Sequence, residues 1–129
     1  MKLRIATRRS ALALAQSNWV AAQLQRLEPG LEVELVEVVT TGDRIQDVSL
    51  AAIGGKGLFV SEVEDVLLRG EAELAVHSLK DVPSELAPGL LLAAIPERED
   101  PRDVLVTAEG DALDDLEAGS RVGTNSLRR

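Results

Sequence analysis

The segment Val76-His77-Ser78-Leu79-Lys80-Asp81-Val82-Pro83 sets a hydroxyl, an ammonium and a carboxylate side by side, just after a short apolar run. An aspartate delivered to the end of a strand can stabilise a developing cation or move a proton. Lys80 and Asp81 are neighbours, so a regular strand would turn them to opposite faces, whereas a loop can bring both inward. The same residues also read as a surface Lys–Asp pair beside a proline turn. His77 reads as a core or supporting histidine.

Cations gather at two further places. Arg8 and Arg9 precede Ser10, and Arg128 and Arg129 follow Thr124-Asn125-Ser126. Both places look like the start of a helix after a strand. A helix start offers free N–H groups and a positive dipole end, and guanidinium forks beside it make a carboxylate or phosphate site. Each Arg pair also reads as solvated charge. The stretches from Arg4 to Ser10 and from Arg121 to Ser126 echo one another as strand, Thr, polar cap. Two such starts across a cleft would grip a ligand with several carboxylates. Gly54-Gly55-Lys56-Gly57 lacks the GxxxxGK[ST] spacing of a phosphate loop, so its glycines read as hinges. The acidic stretch from Glu109 to Glu117 reads as a solvated face.

Alternating strands and helices must carry these residues. Leu3 to Thr7 is an expected strand, Ser10 an N-cap and Ala11 to Leu27 a helix, with Leu12, Ala15, Trp19 and Ala22, extended by Val20, Leu24 and Leu27, as its apolar stripe. Glu28-Pro29-Gly30 stops that helix. Glu32 to Val39 alternates acidic and apolar residues, as a strand with one wet face does. Thr40 to Gly57 reads as a long binding or mobile loop. Leu58 to Arg69 is a second helix with Phe59, Val63, Val66 and Leu67 on one face, closed by Gly70. Leu74 to Val76 and Leu90 to Ile95 are expected strands. The charged, proline-flanked run from Pro96 to Asp103 looks like a boundary. Beyond it come strands at Val104 to Thr107 and Arg121 to Gly123, and a helical piece near Asp114 to Glu117. This order predicts an α/β fold with a largely parallel sheet, whose ligands sit outside the carboxyl ends of the strands.

Composition narrows the function. Among 129 residues, 14 basic against 22 acidic side chains give a net charge of −8, a poor footprint for nucleic acid. Trp19 and Phe59 are the only aromatic residues, so stacking platforms for bases are missing too. No cysteine is present, which excludes disulfides and thiolate chemistry within the chain, and the single histidine excludes paired-His metal motifs. No metal site is expected. No apolar run reaches the length of a membrane span, and the basic start is not followed by a signal-peptide core, so a cytoplasmic protein without membrane or nucleic-acid partners is expected.

Several segments together resemble the porphobilinogen deaminase (hydroxymethylbilane synthase) family. They are Arg4-Ile5-Ala6-Thr7-Arg8 with Ser10, Leu12-Ala13-Leu14 and Gln16, Thr41-Gly42-Asp43, and Gly54-Gly55-Lys56-Gly57-Leu58-Phe59. Ala75 to Pro83, Glu97 to Asp103, and Val122-Gly123-Thr124 with Ser126-Leu127-Arg128-Arg129 complete the likeness. The pairing of HSxKDVP with ReDPRD is the most specific part. Asn125 stands where the family more often has serine.

The resemblance implies a transferase of porphyrin, haem and other tetrapyrrole biosynthesis. It would join four porphobilinogen molecules into hydroxymethylbilane and release ammonia at each step. The family's chain grows on a dipyrromethane cofactor held through a cysteine, here expected outside the chain. The implied roles are Asp81 as catalytic carboxylate, and Lys80, Ser78, Arg128, Arg129, Thr124 and Ser126 as cofactor-binding residues. Arg8 and Ser10 would bind substrate carboxylates, and Lys56 and Phe59 would belong to a mobile loop over the cleft. The implied fold is a lobe like those of type II periplasmic binding proteins, with a mixed, mostly parallel sheet, plus the start of a second similar lobe. Residues 1–97 are expected to form most of the first domain, without its returning segment, and residues 98–129 the hinge and opening of the second. The family's full-length form is expected to be monomeric and to meet porphobilinogen and the growing pyrrole chain. The chain itself is expected to be an amino-terminal fragment without activity. The competing expectation is a non-catalytic lobe that binds anions.

Overall fold

The computed structural model describes residues 1–40, 60–110 and 112–124. The loop expected beyond Thr40, Lys56 and Phe59, the start of the second expected helix, and Ser126, Arg128 and Arg129 lie outside the described residues. The chain divides into two compact units, Met1–Ala93 and Ala94–Arg129.

The first unit is built on strand β1, Lys2–Arg8. Helix α1, Ala11–Leu27, follows it, then strand β2, Glu32–Val38, helix α2, Ser61–Leu68, and the short strand β3, Leu74–Ala75. The strands form one parallel sheet in the order β2-β1-β3 among the described residues. β1 and β2 pair in register from Lys2 opposite Glu32 to Arg8 opposite Val38. β3 pairs with the middle of β1, Ile5 opposite Leu74 and Ala6 opposite Ala75.

Side chains alternate across a strand, so neighbouring residues of β1 serve opposite faces. Ala6 joins Val63 and Val66 of α2, together with Val38 and Ala72, in a buried cluster. Thr7 instead meets Ser17 of α1 through a hydrogen bond. The two helices therefore cover opposite faces of the sheet. Val63 and Val66 face inward as the spacing predicts. α1 does not follow its expected stripe. Leu12, Ala15, Trp19, Ala22 and Leu27 are exposed and Val20 and Leu24 half-buried, while Ser17 and Ala21 are the residues it buries. The cause is polar: Ser17 finds a buried partner in Thr7, so a residue that reads as solvent-facing turns inward and rotates the helix.

Gly70 closes α2 at φ +68, the left-handed geometry that glycine accepts without a Cβ clash. Beyond it, Glu73 locks the edge of the sheet. Its carboxylate accepts from the backbone N–H of Arg4 at 2.7 Å and from Arg4 Nε at 3.1 Å, while its own N–H donates to the Arg4 carbonyl. Arg4 also donates to the Gly70 carbonyl at 2.8 Å.

The second unit holds one short 3-10 turn among its described residues, Leu113–Asp115, closed by the Asp115 carboxylate accepting from Ala112 N–H at 3.0 Å. Leu90 to Ile95, Val104 to Thr107 and Arg121 to Gly123 were expected as strands and are not strands. A strand exists through pairing with a neighbouring strand, and among the described residues none pairs with these segments. Their apolar side chains stay in water as a result, with Val104 83% and Val106 86% exposed.

Candidate functional site

β1 and β3 are adjacent and parallel, so the loops that leave their carboxyl ends emerge side by side. The connections from β1 and to β3 run to opposite sides of the sheet order, which is where open α/β sheets form their ligand crevice. A pocket opens there, lined by Arg8, Ser10, Leu12, Ala13, Gln16, Val76, His77, Ser78 and Asp81. It is small, with a cavity volume of about 30 Å³, and open to solvent.

The β1 side is fixed by a helix cap. Ser10 has extended backbone angles and its Oγ accepts from Ala13 N–H at 3.2 Å. The start of α1 thus points its remaining N–H groups and the positive end of its dipole toward the pocket. Arg8 lines the pocket, whereas the next residue, Arg9, turns away to pair with Glu37 at 3.0 Å. Alternation at the strand end separates the two arginines.

The β3 side is fixed by a turn. Val76 N–H donates to the Ala6 carbonyl at 3.3 Å, which carries the pairing one residue past β3. Ser78 follows, and its Oγ donates to Gln16 Oε1 at 3.0 Å, tying this loop to α1. Leu79–Asp81 then forms a 3-10 turn in which Asp81 N–H donates to the Ser78 carbonyl at 2.9 Å. The turn separates two neighbours: Asp81 lines the pocket, and Lys80 is exposed outside its lining.

His77 lines the pocket as well, which the sequence did not point to. Burial holds its imidazole below the ordinary range; the charge of Asp81 opposes this, that of Arg8 adds to it, and that of Glu64 on α2 opposes it again. Gln16 gains a position on the pocket wall that its type alone did not announce. Thr124 is exposed in the second unit. Among the described residues no group of three or more His, Asp or Glu can hold a metal ion, and no helix is long and apolar enough to cross a membrane.

A guanidinium, a capped helix start and a serine hydroxyl around a small open space suit an anion, and Asp81 beside them suits a positive charge that develops next to it. Comparison with known proteins gives the family. Residues 3–129 match the family profile described as porphobilinogen deaminase, dipyromethane cofactor binding domain. The chain is 59% identical over 127 residues to a porphobilinogen deaminase of Syntrophotalea carbinolica, covering 98% of this chain and 40% of that protein. It is 61% identical over 128 residues to one of Shouchella clausii, covering 99% and 41%, and 60% identical over 128 residues to one of Sorangium cellulosum, covering 99% and 43%. The chain spans about two-fifths of the length of these relatives. With its cofactor-domain match running almost from end to end, the chain belongs to the porphobilinogen deaminase family.

Proposed function

We propose that the chain supplies the amino-terminal part of a transferase that joins porphobilinogen molecules head to tail into hydroxymethylbilane, releasing ammonia. The observation that carries this reading is the convergence of Arg8, Ser10, Ser78 and Asp81 on one small pocket at the carboxyl ends of β1 and β3. Arg8 and the capped start of α1 hold an acetate or propionate group of a pyrrole. The Asp81 carboxylate stabilises positive charge on a pyrrole as ammonia leaves, and can take a proton from its nitrogen.

The pocket's donor set fits a dipyrromethane, whose side chains are carboxylates. That group, when bound, supplies the nucleophilic pyrrole carbon on which the product is built. Ser78 and Lys80 hold its carboxylates from the β3 side, Lys80 from the rim. By the resemblance, Thr124, Ser126, Arg128 and Arg129 are further cofactor-binding residues, and Lys56 and Phe59 belong to the family's loop region. The anchor for the cofactor is a cysteine outside this chain, which contains none. The fold reading is a lobe of type II periplasmic-binding kind over residues 1–97, with a second lobe opening at residue 98. The full-length enzyme works in the cytoplasm as a monomer.

The test uses the full-length enzyme carrying this segment. Asp81→Ala is expected to abolish turnover of porphobilinogen while circular dichroism stays unchanged. A near-normal rate would overturn the role of Asp81. The 129-residue chain, incubated with porphobilinogen, is expected to form no stable adduct reactive with acidic aldehyde reagent, and an adduct would refute the external anchor.

A further inference from the structure

One side chain in the pocket wall has no part in that chemistry. His77 is half-buried and lines the pocket together with Arg8, Ser78 and Asp81. Its hydroxyl neighbours in the wall are already engaged: Ser78 Oγ donates to Gln16, and Ser10 Oγ accepts from Ala13 N–H. No hydrogen bond from a described residue reaches the imidazole.

The backbone keeps the ring on the pocket side. The 3-10 turn Leu79–Asp81, closed by Asp81 N–H on the Ser78 carbonyl at 2.9 Å, folds the chain back on itself. Leu79 and Lys80 are exposed at its outer bend, whereas His77, Ser78 and Asp81 line the pocket. Val76 N–H, held by the Ala6 carbonyl at 3.3 Å, anchors the other side of the loop. His77 and Arg8 thus reach one space from the ends of two paired, parallel strands.

The charges of the wall leave a gap that the ring can fill. Among the lining residues Arg8 is the one permanent cation and Asp81 the one carboxylate, so the two cancel. α1 adds Ser10, Leu12, Ala13 and Gln16, none of them charged. The charged groups that face the imidazole are Asp81 from its own loop, Arg8 from β1 and Glu64 from α2. Burial holds the ring toward its neutral form. An anion brought within hydrogen-bond reach acts the other way, because it favours the charged ring.

We propose that His77 is a second ligand-binding cation of the pocket: a carboxylate that enters beside Arg8 brings a proton from solvent with it, and His77 holds that proton while donating to a carboxylate oxygen. The pocket then carries a net positive charge only when it is occupied, and the new bond is a charge-assisted one. That the ligand is a carboxylate rests on the function proposed above.

The probe is propionate, a carboxylate with no group to be transferred. The full-length enzyme carrying this segment is titrated by nuclear magnetic resonance, and the His77 ring signal is the one lost in His77→Gln. If that variant does not fold, the 129-residue chain, whose only histidine is His77, identifies the signal. In excess propionate the titration midpoint of His77 is expected to rise by about one pH unit over its value in chloride of equal ionic strength. That rise corresponds to roughly tenfold tighter binding to the charged ring. Arg8→Gln is expected to reduce the rise, since the two side chains share one carboxylate. A midpoint that propionate leaves where chloride does would overturn the proposal, and so would a rise of full size in Arg8→Gln. Propionate undergoes no reaction, so failure here leaves the transferase reading standing, whereas a normal rate in Asp81→Ala strikes that reading and not this one.

Discussion

Ser17 on α1 donates its hydroxyl hydrogen to Thr7 Oγ1 on β1 at 2.7 Å, and both residues are wholly buried. Thr7 in turn donates toward the carbonyls of Arg8 at 3.3 Å and Ala13 at 3.4 Å. This short chain of hydroxyls joins the strand that ends in Arg8 to the first turns of the helix that Ser10 caps. It fixes the angle at which the strand becomes the helix, and hence the aim of both pocket residues.

Breaking one end of this pair is expected to cost more than removing both. Ser17→Ala leaves a buried oxygen short of a donor, for a loss of about 1–3 kcal/mol. Thr7→Val together with Ser17→Ala leaves nothing unpaired and is expected to cost less than the sum of the single changes. Urea denaturation of the four proteins measures this directly; strict additivity would show that the hydroxyls do not act as a unit.

The Arg4–Glu73 lock gives a pH signature. Hydrogen bonds from the Arg4 side chain, and then from its backbone N–H, hold the Glu73 carboxyl down at about 2, against an ordinary 4.5. A carboxyl lowered in the folded state stabilises above its unfolded value and loses that contribution as pH falls through the folded one. The gap in denaturation midpoint between wild type and Glu73→Gln is therefore expected to be full at neutral pH, to shrink below about 4.5 and to close near 2. Both side chains are partly exposed, so the gap is small and high salt narrows it further. A gap that does not change with pH would show that the carboxylate charge is irrelevant.

Gly70 separates backbone strain from crowding. A Cβ added there meets no atom within 4 Å, yet φ is +68. Gly70→Ala is thus expected to destabilise by about 1–2 kcal/mol through conformation alone. Gly70→Asn is expected to cost less, since asparagine tolerates the left-handed region better. Thermal melts of both variants test the order.

Gln16 holds Ser78 toward the pocket at 3.0 Å. With the functional reading above, Gln16→Leu is expected to weaken binding of a pyrrole carboxylate by roughly threefold to tenfold, the worth of one ordinary hydrogen bond. Adding Ser78→Ala is expected to cost little more. Titration calorimetry with porphobilinogen on the full-length enzyme gives the numbers, and full additivity would mean that the two residues act independently.

Local chemistry was legible in the sequence wherever neighbours along the chain decide structure. The Ser10 cap, the span of α1, the strand at Glu32 and the Gly70 stop follow from hydrogen-bonding capacity and φ preference within a few residues. The rule for strand ends in α/β sheets pointed to Ser78 and Asp81 after an apolar strand, whereas their meeting with Arg8 and Ser10 follows from the pairing of β1 with β3. What escaped depends on partners distant in sequence. The inward face of α1 follows from Thr7, which the stripe of Leu12 and Trp19 conceals. The outward turn of Lys80 follows from the 3-10 geometry after Ser78. The strands expected at Val104 and Val122 failed because β propensity describes a fit to a neighbouring strand, and the described residues provide none.

The central place of β1 also carries a cost in time. It leaves the ribosome well before β3, yet the edge that faces β3 stays open until the stretch from Glu73 to Val76 has been made. At usual rates of synthesis that is roughly 4 to 14 seconds. During that interval the nascent chain exposes the backbone of Arg4 and Ala6 as an unpaired edge, the feature through which chains join to one another. The open edge at Arg4 and Ala6 runs on the same strand into Arg8 of the pocket, so a chaperone that covers this strand shields both.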